Sequence, residues 1–352
     1  MTDFEQWLTT KGKAIDHQAQ QRALEHQQQL TKPAGSLGRL EDIAIQLAGL
    51  QSNDRPIIEH VQITVFAADH GIVEEGVSAF PQDVTAEMIR NFSHGGAAIS
   101  VLAKENNARL SVFNVGTINQ LETLHNVEDA RIAAGTQNFL HQAAMTEQQC
   151  QQAMLVGKNH IDQLVDTDTQ LFIGGEMGIG NTSSATAIAS ALLNRDAQQL
   201  VGAGTGLDKD GIDKKADIIQ QALDTHQQQL NSPLSVLQHL GGFEIAALAG
   251  AYIRCSQVGL PILVDGFISS VAALVTQKLQ ADSCSWFLFS HRSAELGHQH
   301  VLSELGAETI LDIGMRLGEA SGAAVALPLI RLSCSLHNNM ATFADAAVSK
   351  QS

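Results

Sequence analysis

The stretch LFIGGEMGIGNTSSATAIASALL, residues 171–193, joins an apolar run to a helix-like run through a segment rich in glycine. We predict a strand over residues 171–173, a turn in which glycines surround Glu176, and a helix that opens at Asn181. Because glycine has no Cβ atom, the backbone of such a turn can lie close to a ligand. The stretch therefore predicts a strand, a turn and a helix, with a small ligand at the turn.

The start of this predicted helix has a composition that suits an anion. It reads Asn181, Thr182, Ser183 and Ser184. The first turn of a helix leaves N–H groups unpaired and carries partial positive charge, and hydroxyl groups add further donors. Ordinary N-capping by Asn181 or Thr182 is the alternative, and the pattern alone does not separate the two.

The same rhythm of a short strand followed by a helix continues along the chain. Runs rich in β-forming residues stand at 61–67, 110–115, 171–173, 261–264 and 286–289, each before a longer helix-like segment. We expect an α/β protein with a mostly parallel, Rossmann-like sheet flanked by helices. Glycines and polar residues follow most of these runs, at the sheet edge where open α/β sheets bind ligands. For any single one, the needs of a strand-to-helix turn are the alternative.

The two chain ends predict a smaller helical part. The first thirty residues are rich in Gln, yet Ala23, Leu24 and Leu30 indicate an amphipathic helix that ends before Pro33. From Gly318 onward the chain is apolar on most of a helical surface, which indicates burial. We predict that residues 1–30 and 331–352 form a small helical part and that residues 31–330 form the α/β domain.

Charge and composition narrow the class of partner. The 352 residues include 21 Lys and Arg against 37 Asp and Glu, a formal charge of −16, which disfavours nucleic acid and anionic membrane surfaces as partners. No run approaches the ~20 apolar residues of a membrane span, and the N-terminus does not read as a leader, so we expect a cytoplasmic protein. The four cysteines are scattered, and Asp69-His70 stands without further ligands at metal spacing, so we expect no metal site.

A second glycine loop lies at Gly202, Gly204 and Gly206, and Lys215 follows it. In so acidic a chain, a lysine near a glycine loop is a candidate counter-charge for phosphate, with a solvated lysine as the alternative. The loop is not the dinucleotide fingerprint, and no G-x-x-x-x-G-K-[ST] motif occurs. Both absences argue against a dehydrogenase or a nucleoside-triphosphatase.

Glu319 lies between two glycines at the start of the apolar C-terminal helix. A carboxylate in a poorly solvated place has a raised proton affinity and is a candidate general base. The alternative is a first-turn glutamate that interacts with the helix dipole.

Seven segments, taken in order, resemble one family. They are KPAGSLGRLE (32–41), ADHGI (68–72), GGEMGIGNTS (174–183), LGGFEIAALAG (240–250), VDGFISS (264–270), SHRSAE (290–295) and MRLGEASGAA (315–324). Together they are similar to nicotinate-nucleotide:dimethylbenzimidazole phosphoribosyltransferases. The resemblance implies transfer of the phosphoribosyl group of nicotinate mononucleotide to a benzimidazole, for the lower ligand of cobalamin. It also implies a homodimer with a small helical domain, and no metal or redox cofactor.

The resemblance also implies roles for individual residues. Glu319 matches the family's general base, Glu176 its glutamate beside the ribose, and Lys215 the lysine after the second glycine loop. Phe80 and Met88 stand where the best-studied members have polar residues, so the identity of the accepted base stays open. The alternative is that Phe80 and Met88 are simply core residues.

Combined with the residue chemistry, the predicted site has three parts. The catalytic residues are Glu319 and Glu176. Phosphate and ribose are assigned to Gly178, Asn181, Thr182, Ser183, Gly202, Gly204, Lys215 and Ser293. The aromatic base is assigned to Phe80, Met88, Met177 and Leu317. A non-catalytic nucleotide-binding module is the rival interpretation, since a fold does not determine a function.

Overall fold

The computed structural model describes residues 2–349. The strands are β1 (Val61–Ala68), β2 (Arg109–Gly116), β3 (Val127–Asp129), β4 (Leu171–Met177), β5 (Ile262–Val264), β6 (Phe287–His291) and β7 (Thr309–Leu311). The helices are α1 (Asp3–Leu8), α2 (His17–Gln27), α3 (Arg39–Leu50), α4 (Asp83–His94), α5 (Ala98–Glu105), α6 (Glu147–Leu164), α7 (Asn181–Leu193), α8 (Lys209–His226), α9 (Pro233–Leu240), α10 (Phe243–Val258), α11 (Phe267–Leu279), α12 (His298–Leu305) and α13 (Ser321–Asn339).

The seven strands form one sheet in the order β3-β2-β1-β4-β5-β6-β7, and every neighbouring pair is parallel. This confirms the predicted α/β class. The chain builds outward from β1 to β3 and then returns to place β4 on the other side of β1. The sheet therefore has its topological switch point between β1 and β4, and ligands of open α/β sheets bind outside the carboxyl ends of the strands at such a point.

The central strands are predictable because they are buried on both faces. All eight residues of β1 are buried, as are all of β5 and β6, and such strands read as continuous apolar runs. All five predicted runs correspond to strands. The edge strands β3 and β7 escape prediction, because each has only three residues, partly or fully exposed, and carries no apolar signal of that kind.

Strand β4 is longer than its apolar run, which corrects the predicted turn at residues 174–177. Gly174 and Gly175 belong to the strand, and both faces of the strand are covered very closely at these two residues. A Cβ atom at Gly174 would lie 2.5 Å from Leu248 of α10, and one at Gly175 would lie 2.7 Å from the backbone nitrogen of Ala320. Successive residues of a strand face opposite sides, so α10 and the start of α13 cover opposite faces.

Helix α6 packs against α10, the helix that also covers β1 and β4. The two helices approach each other at glycines. A Cβ atom at Gly157 of α6 would collide with the backbone carbonyl of Ala247, and one at Gly250 of α10 would collide with the carbonyl of Met154. Close contact between the helix backbones therefore depends on both glycines.

The two chain ends contact each other. The His26 and His337 rings lie edge to face at 4.9 Å, Gln27 Nε2 donates to His337 Nδ1 at 2.9 Å, and Leu30 forms an antiparallel bridge with Thr342. Helix α13 begins in the centre of the molecule and continues past residue 330, the predicted limit of the main domain. The division into two domains stays a prediction, and its residues 1 and 350–352 lie outside the described part of the chain.

We predict that Gly157→Ala destabilises the protein strongly, because the new methyl group meets backbone that cannot move aside. Overpacking of this kind costs about 1 to 3 kcal/mol. Gly49→Ala in α3 is the matched control, since the atoms nearest to its methyl group belong to the flexible side chain of Gln20. Urea unfolding of both variants tests this, and equal midpoints would contradict it.

Candidate active site

A cavity of about 330 Å³ opens at the carboxyl ends of β1, β4, β5 and β6. The segments after these strands converge there with the loop that precedes α13. Its lining residues are Phe80, Val84, Met88, Glu176, Met177, Gly178, Ile179, Asn181, Thr182, Gly204, Thr205, Gly266, Phe267, Ile268, His291, Ser293, Glu295, Arg316, Leu317, Gly318 and Glu319.

Most of the residues predicted from the sequence line this cavity. They are Phe80, Met88, Glu176, Met177, Gly178, Asn181, Thr182, Gly204, Ser293, Leu317 and Glu319. Ser183, Gly202 and Lys215 are not part of the lining. The carboxyl edge of the sheet thus brings together residues that are far apart in the sequence.

Glu319 stands on a turn of unusual backbone. Gly318, Glu319 and Ala320 have φ angles of 89°, 62° and 66°, all in the left-handed region. The residue precedes α13, so it does not belong to the first helical turn, and that alternative is wrong. Glu319 is 5% exposed, and its Oε2 is buried without a hydrogen bond among residues 2–349. Burial, and secondarily the charge of Asp265, raises the pKa of Glu319 to about 7.

Glu176 is held at the end of β4 by its neighbours. Asn181 Nδ2 donates to Glu176 Oε2, and the backbone N–H of Glu319 also donates to this carboxyl group. Burial raises the pKa of Glu176 well above its usual range, and the charges of Glu244, Asp265 and Glu319 raise it further. The free protein therefore favours the neutral form of Glu176 more than an exposed glutamate would.

The chain matches known proteins over nearly its whole length. Residues 13–348 match a family model described as phosphoribosyltransferase. The nicotinate-nucleotide–dimethylbenzimidazole phosphoribosyltransferase of Pseudomonas syringae pv. syringae (strain B728a) is 54% identical over 342 residues, 97% of each chain. The chain belongs to this phosphoribosyltransferase family. A relative of the same name from Pseudomonas putida (strain GB-1) is 55% identical over 97% of each chain.

Solved structures agree with the assignment to the phosphoribosyltransferase family. The crystal structure of CobT from Thermus thermophilus is 36% identical, covers 95% of this chain and 100% of its own, and superposes with a TM-score of 0.91. A second structure from that organism, named for the nicotinate-nucleotide–dimethylbenzimidazole enzyme, gives a TM-score of 0.90. Fold and sequence therefore point to one family.

In this family member, one side of the cavity is apolar. Phe80 and Leu317 are 50% and 58% exposed, so Phe80 is not a core residue. Met88 is partly buried, and it both packs on the core and borders the cavity. Phe267 and Ile268 extend this side and were missed by sequence reasoning. Their signal was present, because they directly follow the strand-end pair Asp265-Gly266.

The lining also includes charged residues that sequence reasoning missed. Arg316 Nη1 donates to the carbonyl of Gly204 at 3.1 Å, so an exposed cation lies beside the second glycine loop. Glu295 reaches Gly202, where a Cβ atom would collide with its Oε2. Arg316 and Glu295 lie within two of the segments that resemble the family, but the sequence does not show which way a charged side chain in a loop points.

Lys215 lies behind the cavity lining. Its Nζ donates to Thr182 Oγ1 at 2.7 Å, and the residue is 1% exposed. Burial lowers the pKa of Lys215 to about 8, against the opposing effect of the Glu295 charge. Ser183 is fully buried as well. Lys215 is thus buried directly behind Thr182 and Gly204, two residues of the lining.

His70 pairs with Glu244 beneath the site. His70 Nε2 donates to Glu244 Oε1 at 2.7 Å, and both side chains are fully buried. Across residues 2–349, no group of three His, Cys, Asp or Glu side chains is arranged to hold a metal ion. No described helix is long and apolar enough to cross a membrane.

Proposed function

We propose that the protein transfers the phosphoribosyl group of nicotinate mononucleotide to dimethylbenzimidazole, giving α-ribazole 5'-phosphate and nicotinate. The product is the nucleotide of the cobalamin lower ligand. One observation carries the proposal: Glu319, whose pKa is raised to about 7, faces a cavity that combines an apolar slot with a loop and helix start rich in glycine and hydroxyl groups. The names of the relatives support it.

The bond chemistry explains why one base is enough. Nicotinate is joined to ribose as a pyridinium cation, so it leaves as a neutral ring nitrogen and needs no proton from an acid, unlike a glycosidase leaving group. The attacking benzimidazole nitrogen forms the new bond to C1', and the N–H of its second nitrogen becomes acidic. Glu319 accepts that proton. The change from β to α configuration at C1' fits a single displacement from the opposite face.

The phosphate is proposed to bind where α7 begins and the second glycine loop meets it. A helix N-terminus offers N–H donors to an anion. Thr182 and Gly204 border the cavity there, Lys215 lies directly behind Thr182, and Arg316 supplies a second cation at the rim. Gly178, Asn181, Ser183, Gly202 and Ser293 complete the proposed phosphate and ribose set.

Glu176 is proposed to face the ribose. Positive charge spreads over the ribose ring as nicotinate departs, and a nearby carboxylate stabilises that charge. The bound pyridinium would itself favour the ionised form of Glu176, against the effect of burial. The side chain of Glu176 accepts the backbone N–H of Glu319, so Glu176 also holds the proposed general base in place.

Lys215→Ala is predicted to weaken binding of nicotinate mononucleotide far more than binding of free dimethylbenzimidazole. Loss of one charged hydrogen-bonding group costs roughly 1.5 to 3 kcal/mol, or about tenfold to a hundredfold in Kd. Calorimetric titration of each ligand measures the difference. Lys214→Ala, which changes the exposed neighbouring lysine, is the matched control. Equal losses for both ligands would argue against a phosphate role.

Glu319→Gln is predicted to keep the fold and nucleotide binding while turnover falls about 10²- to 10⁴-fold. In the unchanged protein, kcat/KM for dimethylbenzimidazole should drop about tenfold per pH unit below pH 7, because Glu319 can accept a proton only when it is ionised. The exposed Glu105→Gln serves as control. Turnover by Glu319→Gln at the normal rate would remove Glu319 from the mechanism.

The acceptor slot is predicted to tolerate several flat bases. Aromatic and thioether groups such as Phe80 and Met88 bind rings through area and polarisability, with few directional bonds. Loss of the methyl groups of the base should therefore cost only about 1 to 3 kcal/mol each. Competition between dimethylbenzimidazole, benzimidazole and an N-methylated analogue tests this. Rapid use of the N-methylated base would exclude proton transfer to Glu319, and strict selection for the dimethyl form would exclude a tolerant slot.

We also propose a cytoplasmic homodimer. The homodimer rests on the family resemblance, and sedimentation of the purified chain tests it. The cytoplasm is proposed because nicotinate mononucleotide is a phosphorylated metabolite that does not cross membranes unaided. No cofactor enters the proposed reaction.

A further inference from the structure

The turn that carries Glu319 needs support from outside itself. Three consecutive residues, 318–320, are left-handed, and two of them are not glycine. Left-handed backbone is unfavourable for residues with a side chain and persists where the surroundings determine it. Helix α13 starts immediately afterwards, and its N-cap residue Ala320 offers no side-chain hydrogen bond. Both the strained turn and the first N–H groups of α13 thus require partners from other elements.

Asp265 supplies those partners from the end of β5. Its Oδ1 accepts the backbone N–H of Ala323 at 2.8 Å, and the N–H groups of Ala320, Gly322 and Gly266 also donate to its carboxyl group. The residue is 1% exposed. A carboxylate that gathers donors in this way caps α13 from a residue that is distant in the sequence.

Strand β4 holds the other side of the same turn. At Gly175 a Cβ atom would lie 2.7 Å from the nitrogen of Ala320 and 2.8 Å from the carbonyl carbon of Glu319. Glu176 accepts the N–H of Glu319. The turn is therefore fixed between two strands, and of the two carboxyl groups only Asp265 lies outside the cavity lining.

We propose that Asp265 is a positioning residue for the reaction: it holds the left-handed turn that aims Glu319 into the cavity. The proposal rests on the proposed function, in which Glu319 is the base. Asp265 acts through backbone groups of residues 320–323, and the cavity lining does not include it.

Other charged groups face Glu319 as well. Glu176 faces it from β4, Asp265 from the end of β5, His291 from β6, and Arg316 lies on the same loop. Burial lowers the pKa of His291, which disfavours a positive charge on this ring. The charge of Asp265 raises the pKa of Glu319, after the effect of burial. Burial raises the pKa of Asp265 to about 7 as well, so the two acids titrate together, and removal of the Asp265 carboxyl group should lower the pH at which Glu319 becomes a base.

The test uses Asp265→Asn and Asp265→Ala in the full chain, with nicotinate mononucleotide and dimethylbenzimidazole as substrates. Asp265→Ala should lower kcat about 10²-fold, while KM for nicotinate mononucleotide changes less than about threefold. Asp265→Asn has the same shape without the charge, and it should move the acid limb of kcat/KM to lower pH. Asp16→Ala is the control, because Asp16 caps the distant helix α2 by accepting from Gln18 and Ala19.

The outcomes separate this proposal from the proposed function. If the unchanged protein forms no α-ribazole 5'-phosphate, the function itself is wrong. If it is active and Glu319→Gln is not, an unmoved acid limb in Asp265→Asn, or equal changes in kcat and KM in Asp265→Ala, overturns the positioning role alone. Circular dichroism checks the fold of each variant, and failure of both Asp265 variants to fold would assign Asp265 to folding and overturn the proposal.

Discussion

The active site depends on two adjacent glycines in strand β4, which have no Cβ atoms. Gly175 lets β4 approach the backbone of the Glu319 turn at a distance that any side chain would prevent, and Gly174 leaves room on the other face for the Leu248 and Tyr252 side chains of α10. Close approach on both faces brings the start of α13 down onto the carboxyl end of the sheet. Because of this contact, a glutamate far along the chain lies beside Glu176 and the start of α7.

The same burial sets the chemistry of the site. Glu176, Asp265 and Glu319 are all nearly inaccessible to water, and each has its pKa raised first by burial and then, for Glu176 and Glu319, by neighbouring carboxylates. Charged groups in a medium of low dielectric influence one another strongly, so a proton on one acid changes the affinity of the next. A base that titrates near neutral pH is the direct consequence. No cation among the described residues contacts Glu319 closely enough to offset this effect.

Much of the fold could be predicted, and the reason is the burial of the central strands. Their continuous apolar runs and the glycines after them indicate the sheet, its ligand-binding edge and the candidate base at Glu319. Strands β3 and β7 could not be predicted, because three residues that pair at an edge carry no pattern of their own. Arg316 and Glu295 were missed, and Lys215 lies behind the lining and not in it, since a sequence does not show which way a loop side chain points. The two-domain division stays a prediction.

The most direct measurement is the identity of the product that the purified chain forms from nicotinate mononucleotide and dimethylbenzimidazole. Mass spectrometry identifies the nucleotide, and the NMR coupling at C1' gives its configuration. We expect one α-ribazole 5'-phosphate for each nicotinate released, and no release without the base. Release of nicotinate with ribose 5-phosphate in place of the nucleotide, or a β-configured product, would contradict the proposed transfer.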